Sequence, residues 1–224
     1  GPQAVGQLQI EVAADTYSQI VELTAGGATG EQNNTASANL NTVLAPYPDL
    51  VVNNVTFQPA NVQSGQEMTV RWEDFNNGIA PARATWHDRL VVVNTGTGAT
   101  LLDTTVLHST TTLGELAPGA TRLRQYTWRL PNGTAGTGTL QFTVTVDGYN
   151  GVYEHNAGGT AEANNSATAQ ITSTLAAYPD LEVASFDVAP ATFESGRLLT
   201  ATWGVTNTGT AAVTGDFYDR VLVR

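Results

Sequence analysis

Cysteine and lysine are both absent from this 224-residue chain. Without cysteine the fold has no disulfide framework, and neither a thiolate metal site nor a cysteine nucleophile is available. Only 13% of the residues are charged, and 20 acidic against 9 basic side chains leave a formal net charge of −11. A charge of this sign repels nucleic acid and anionic membrane surfaces, so neither is predicted as a partner.

Long apolar runs are missing as well, and no segment shows a helical period for more than two turns. Glycine and proline are plentiful, with 22 and 9 residues, which is typical of a β-rich globular protein with many turns. The chain also lacks a Gly-x-Ser-x-Gly elbow, a His-Glu-x-x-His motif, a phosphate-binding loop and a dinucleotide fingerprint. We therefore predict no enzymatic activity, no catalytic residues and no residues that bind an organic cofactor.

The chain repeats itself with a period of about 131 residues. The segment that starts at Pro48 aligns with the segment that starts at Pro179, and the stretch from Gly6 aligns with the stretch from Gly138. Such self-similarity is the signature of a tandem array. We predict the C-terminal part of one repeat in residues 1–44, a complete repeat in 45–176 and the N-terminal part of a third in 177–224.

Several segments alternate apolar and polar residues with period two, which predicts strands with one buried face. Pairs such as Asn-Gly, Thr-Gly and Pro-Gly separate them and predict turns, because glycine and asparagine tolerate positive φ. We expect two strands in the first partial repeat and three in the last. The complete repeat is predicted to hold seven strands, at roughly residues 49–58, 66–75, 85–94, 100–108, 121–130, 138–147 and 165–174.

Short strands at this spacing predict an all-β fold, an antiparallel β-sandwich of the immunoglobulin or fibronectin type III kind in each repeat. Trp72 and Trp128 are expected to be the largest core side chains. Asp88 lies on the same face as Trp86 and Leu90 of its predicted strand. A buried carboxylate must be paired or hydrogen-bonded, so we expect Asp88 to contact an arginine or backbone amides.

The junction between repeats has no glycine- or serine-rich spacer. The last strand runs directly into Tyr-Pro-Asp-Leu, and Pro179 keeps the residue before it extended, so adjacent repeats are predicted to be joined stiffly. Asp49 and Asp180 follow the junction proline. They are predicted either to fix a turn or to contribute to a metal at the junction.

Five segments of the complete repeat carry a family resemblance: "PDLVV" at Pro48, "SGQEMTVRW" at Ser64, "WHDRLVVV" at Trp86, "GVYEHNAG" at Gly151 and "EANN" at Glu162. Together they resemble the CARDB family, the cell-adhesion-related domain found in bacteria. The repeat is longer than the usual member around residues 94–120. Its last loop carries an Ala-Gly-Gly insertion.

The resemblance implies a non-catalytic domain from the tandem repeats of a large, secreted or surface-attached bacterial protein. We predict an extender or stalk repeat of an extracellular adhesin or surface filament, which contacts neighbouring repeats and carries a glycan- or protein-binding tip elsewhere. One alternative is a Ca²⁺-dependent module that binds a glycan or protein, with Tyr149 and Tyr153 stacking on sugar rings. Another is a filament subunit in which the tail of one copy completes the head of the next by strand complementation.

Oxygen-bearing side chains concentrate in the loop after the sixth predicted strand, and their types recur near the start of the chain. Ca²⁺ takes six to eight oxygen ligands in a flexible geometry, so this loop is the candidate Ca²⁺ site, although its spacing matches no EF-hand. The alternative is that these side chains cap turns by bonding to the backbone. The candidate ligands are Asp147, Glu154, Glu162, Asn164, Asn165, Asp15, Glu22 and Glu31.

Overall fold

The computed structural model describes residues 5–192 and 194–224, and its regular structure consists mainly of β-strands. The chain divides into two units, Gly1–Tyr47 and Pro48–Arg224. Among the described residues, no helix is both long and apolar enough to cross a membrane. The strands are β1 (Gly6–Ala13), β2 (Thr35–Thr42), β3 (Leu50–Gln58), β4 (Val62–Gln63), β5 (Glu67–Asn76), β6 (Trp86–Asn94), β7 (Thr100–His108), β8 (Thr121–Arg129), β9 (Gly138–Thr145), β10 (Ser166–Thr174), β11 (Leu181–Ala189) and β12 (Thr200–Asn207). The helical turns are Glu31–Asn33, Thr110–Leu113 and Gly133–Gly136.

Strands β3 to β10 form two sheets, one in the order β4-β10-β9-β6-β7 and the other in the order β3-β5-β8. The predicted all-β sandwich is therefore confirmed, and all seven predicted strands form within two residues of their expected bounds. The two-residue strand β4 was not predicted, because it is too short to show alternation. It pairs with β10 in parallel, whereas the other strand pairs are antiparallel.

The core lies between the two sheets. Strand β5 points Met68, Val70 and Trp72 inward, as its alternation predicted, and the facing strands β6 and β9 supply Leu90, Val92, Leu140, Phe142 and Val144. Trp72 is fully buried, but Trp128 is only half-buried, because it lies on β8 at the edge of its sheet. Trp86 of β6 is the second fully buried indole. The expectation for Trp128 was therefore wrong, since the sequence pattern does not distinguish edge strands from central ones.

A buried ion pair joins the two sheets. Arg124 of β8 places Nε 2.8 Å from Oδ2 of Asp88 and 3.4 Å from Oδ2 of Asp74. Each carboxylate also accepts a hydrogen bond from an indole, Asp74 from Trp72 at 3.1 Å and Asp88 from Trp86 at 3.0 Å. The expected pairing of Asp88 with an arginine is confirmed.

Two carboxylates around one guanidinium would leave a net negative charge in the core, which is costly in a medium of low dielectric constant. Burial raises the pKa of Asp74 well above its usual range, and the charge of Asp88 raises it further. Burial also raises the pKa of Asp88, against the opposing effect of Arg124. Nε of Arg124 lies closer to Asp88 than to Asp74, so we assign the ion pair to Asp88 and Arg124 and the proton to Asp74, which leaves the group neutral.

The residues before and after the sandwich each contain a separate two-stranded sheet. Strand β1 pairs with β2, and β11 pairs with β12, each antiparallel. The third strand expected in 177–224 is absent from the described residues, because 217–224 have no regular structure. Its counterpart β6 is held between β7 and β9, and the described residues after Asn207 include no strand that could take either place.

We expect Asp74→Asn to weaken the pH dependence of stability. Because the pKa of Asp74 is raised in the folded state, its contribution is complete below the usual value of 3.8 and is lost as the pH rises through the raised value. Asparagine keeps the shape of the protonated form and does not titrate. Urea unfolding followed by tryptophan fluorescence should show a smaller loss of stability between acidic and alkaline pH in the variant than in the parent.

The matched control is Asp88→Asn, which should behave differently. It leaves the buried guanidinium of Arg124 without its ionised partner, at a cost of about 3–5 kcal/mol. Equal losses of stability in the two variants would contradict the assignment of the proton to Asp74.

Candidate functional site

The loop between β9 and β10 folds back onto the start of β3. Its two ends meet where the backbone N–H of Val146 donates to the carbonyl of Asn165 at 3.0 Å. In its middle, the N–H of His155 donates to the carbonyl of Pro48 at 3.1 Å. The side chains that fill this contact are called the loop cluster here, and they are Asp49, Asp147, Glu154, Asn156, Glu162, Asn164 and Asn165.

Asp147 caps the turn that opens the loop. It is 1% exposed, and its two carboxylate oxygens accept hydrogen bonds from the N–H groups of Gly151 and Val152, at 2.8 and 2.7 Å. Its φ of 47° lies in the left-handed region, which aspartate tolerates better than most residues. Asp15 repeats this arrangement, with a φ of 39° and two backbone N–H donors at 2.7 Å.

Glu154 connects the loop to strand β3. One of its oxygens accepts a hydrogen bond from the backbone N–H of Leu50, and the other accepts one from the amide of Asn165 at 3.0 Å. Its own N–H donates to Glu162 at 2.9 Å. Burial raises the pKa of Glu154 to about 8, although the two donors on its oxygens favour the ionised form. Glu154 is only 3% exposed, so the cost of removing it from water dominates.

Asp49 is the hub of the loop cluster, a role that the sequence did not reveal. Its Oδ1 accepts a hydrogen bond from Asn164 at 3.0 Å, and its Oδ2 accepts from Asn77 at 3.2 Å and Asn156 at 3.3 Å. Three side-chain amides from two different loops therefore converge on one buried carboxylate. The only available signal was the position of Asp49 directly after the junction proline.

The predicted ligands therefore divide into separate groups. Glu154, Glu162 and Asn165 are joined by hydrogen bonds. Asn164 donates to Asp49, and Asp147 caps the turn that opens the loop. The remaining three belong to the first unit. There, Asp15 caps a turn, Glu22 accepts the N–H of Gly30 through its backbone carbonyl, and Glu31 accepts the amide of Asn34 at 3.2 Å.

Most carboxylate oxygens of the loop cluster already accept N–H donors. Within residues 5–192 and 194–224, no three histidine, aspartate or glutamate side chains form a group that could hold a metal ion. The buried amide oxygens of Asn164 and Asn165 accept no hydrogen bond from the described residues, so they are the acceptors still available to a cation or to water. Ca²⁺ binding stays a prediction.

The aromatic side chains named for sugar stacking lie on the same loop. Tyr149 is 67% exposed and Tyr153 is 51% exposed. The ring of Tyr149 packs edge-on against His87, with 5.8 Å between the centroids. This exposure is compatible with ligand binding, but glycan recognition also stays a prediction.

A family model for CARDB matches residues 47–169. Among solved structures, the chain is similar to the CARDB domain of a Pyrococcus furiosus protein in complex with di-metal ions, with 23% identity over 60% of this chain and 100% of that one, and a TM-score of 0.42. A domain of a proposed cell surface protein from Methanosarcina acetivorans is 27% identical over 57% of this chain and 92% of that one, with a TM-score of 0.36. The comparison with curated proteins found no match.

We expect Asp49→Ala to destabilise the sandwich by about 3 kcal/mol, because three side-chain amides lose their shared buried acceptor. The matched control is Asp180→Ala. Asp180 follows the second junction proline, but it is exposed and its hydrogen bonds run through its backbone. Its removal should change stability by less than about 0.5 kcal/mol. Urea unfolding measures both variants, and equal effects would rule out Asp49 as the hub.

Proposed function

Because this chain belongs to the CARDB family, we propose that it is an extender segment in the tandem array of a large bacterial surface protein, attached to the cell surface or secreted. CARDB domains are adhesion-related and non-enzymatic. In this proposal the repeats supply length and stiffness, and ligand recognition belongs to another part of the protein. The observation that carries the proposal is that side chains at matching positions of the repeat make the same contacts.

The asparagine that ends β5 shows this recurrence most clearly. The side-chain oxygen of Asn76 accepts the backbone N–H of Asp49 and the N–H two residues after itself, at 3.2 and 3.0 Å. The side chain of Asn207, 131 residues later, accepts the N–H of Asp180 and the N–H two residues after itself, at 3.0 and 3.1 Å. The same turn therefore holds the start of both copies.

A glycine lies at the same place in both turns. A Cβ on Gly78 would come within 2.5 Å of the backbone nitrogen of Asp49, and a Cβ on Gly209 would come within 2.4 Å of that of Asp180. Only glycine leaves room for this close approach. The repeat is thus one of local structure as well as of sequence, which supports an array of similar domains.

The exposed apolar side chains of residues 177–224 also support the proposal. Trp203 is 40% exposed and Val221 is 51% exposed, whereas their counterparts Trp72 and Leu90 are fully buried in the complete copy. An open cleft of about 250 Å³ lies between them. These side chains correspond to the interior of a sandwich.

Small-angle scattering tests the proposal on this chain and on chains lengthened by one and two further copies of residues 48–178. We expect the maximum dimension to grow by a constant increment with each copy, because stiffly joined domains extend as a rod. Growth with roughly the square root of the number of copies, as for flexibly linked domains, would contradict the proposal.

We infer a second candidate function, a filament subunit, from the same exposed apolar side chains. In the complete copy β9 pairs with β6 and β10 packs against β3. Strands β1 and β2 correspond to β9 and β10 in the repeat, and they expose Ile10, whose counterpart is Phe142. A second copy of the chain could thus place its β1-β2 pair over the cleft beside Trp203.

This candidate predicts concentration-dependent association, which sedimentation velocity measures. Ile10→Asp should abolish the association, because it places a charge on the face that would be covered. Ile20→Asp is the control, since Ile20 is also exposed but lies outside β1 and β2. A chain that stays monomeric at all concentrations would rule out the filament subunit and leave the extender function.

A further inference from the structure

The hydroxyl of Tyr178 is bound by two loops of the complete sandwich. Tyr178 lies in the segment between β10 and β11. Its hydroxyl oxygen is 2.9 Å from Oγ of Ser64 and accepts the backbone N–H of Gly133 at 2.9 Å. The ring is half-buried. A tyrosine hydroxyl with two partners fixes the position of the segment that carries it.

Ser64 holds the same segment at two further points. Its backbone N–H donates to the carbonyl of Thr174 at 2.9 Å, and its Oγ accepts the N–H of Ala176 at 3.1 Å. The side chain is 3% exposed. One serine therefore contacts the end of β10, the residue two positions beyond it and the tyrosine that follows.

Glycine leaves the space into which the hydroxyl fits. Gly65 has a φ of 74°, and a Cβ there would lie 2.2 Å from Oδ1 of Asn132 and 3.1 Å from the hydroxyl of Tyr178. Any larger residue would therefore strain the backbone and push against both neighbours. The residues Ser64, Gly65, Asn132 and Gly133 are called the socket here.

Both halves of this contact recur in the sequence. Tyr-Pro-Asp-Leu begins at Tyr47 and again at Tyr178, and Ser-Gly begins at Ser64 and again at Ser195. By the repeat alignment, Tyr178 lies at the start of the following repeat, which begins at residue 177, whereas the socket belongs to the complete one. The hydrogen bonds of Tyr178 therefore run between two repeats.

We propose that the tyrosine of each Tyr-Pro-Asp-Leu segment is a latch that docks a repeat into the socket of the repeat before it. Ser195 and Gly196 would form part of the next socket, whose partner is the same tyrosine in a further copy of the repeat. This proposal rests on the proposed function, because it requires successive repeats. It identifies the atoms that fix the orientation of one repeat relative to the repeat before it.

Hydrogen exchange of the Gly133 amide, followed by NMR on the 224-residue chain, tests the latch. Tyr178→Phe keeps the ring and removes the hydroxyl, so the Gly133 amide loses its acceptor and should exchange about five- to tenfold faster. Ser64→Ala should give a change in the same direction. The amide of Phe142, in the core of the sandwich, should not change in either variant if the fold is intact.

Two control variants separate the latch from a general effect. Tyr149→Phe removes the hydroxyl of an exposed tyrosine, and Ser195→Ala alters the matching serine of the next copy. Both should leave the exchange of the Gly133 amide unchanged. Unchanged exchange in Tyr178→Phe, or equal acceleration in the controls, would overturn the latch.

The latch and the extender function can fail separately. If Tyr178→Phe accelerates exchange at Gly133 while lengthened chains scatter as flexible coils, the latch stands and the extender function fails. If exchange at Gly133 does not respond while the lengthened chains remain rod-like, the latch is overturned and another contact stiffens the junction.

Discussion

The structure depends on two buried carboxyl groups, Glu154 and Asp49, that join the start of β3 to the loop between β9 and β10. Glu154 accepts a hydrogen bond from the backbone N–H of Leu50, and Asp49 accepts hydrogen bonds from side-chain amides of two loops. Both groups are almost fully removed from water, so each unpaired oxygen would be costly and the partners must stay in place. These bonds attach the start of β3 and the residue before it to the loop between β9 and β10 of the same sandwich.

The short motif Tyr-Pro-Asp-Leu consequently has contacts in two directions. Where the motif occurs for the second time, the hydroxyl of Tyr178 contacts Ser64 of the sandwich. In the first copy, Asp49 and Leu50 are bound by the loop of their own sandwich. In the proposed array, a segment that made both sets of contacts, with its proline between them, would have little freedom. This is the physical reason why the proposed function includes stiffness.

Period-two alternation was sufficient to predict the strands of the sandwich, because one face of each strand is buried. It also placed Asp88 inside, where Arg124 pairs with it. Alternation could not show that β8 lies at an edge, which left Trp128 half-buried. The role of Asp49 was equally hidden, because its partners Asn156 and Asn164 lie more than a hundred residues away in the sequence. The acidic and amide residues of the loop stood out by type, but residue types alone do not tell which oxygens already accept N–H donors or that the residues divide into separate groups.

The most direct test of this account is the exchange rate of the Leu50 amide in the 224-residue chain, measured by NMR in excess EDTA and again with millimolar CaCl₂. We predict that this amide is as protected in EDTA as the amides in the middle of β5, because Glu154 accepts a hydrogen bond from it without help from a ligand. Exchange of Leu50 at the rate of an open loop in EDTA, with protection appearing only after CaCl₂ is added, would contradict it. The carboxylates would then hold the repeat closed through a bound cation.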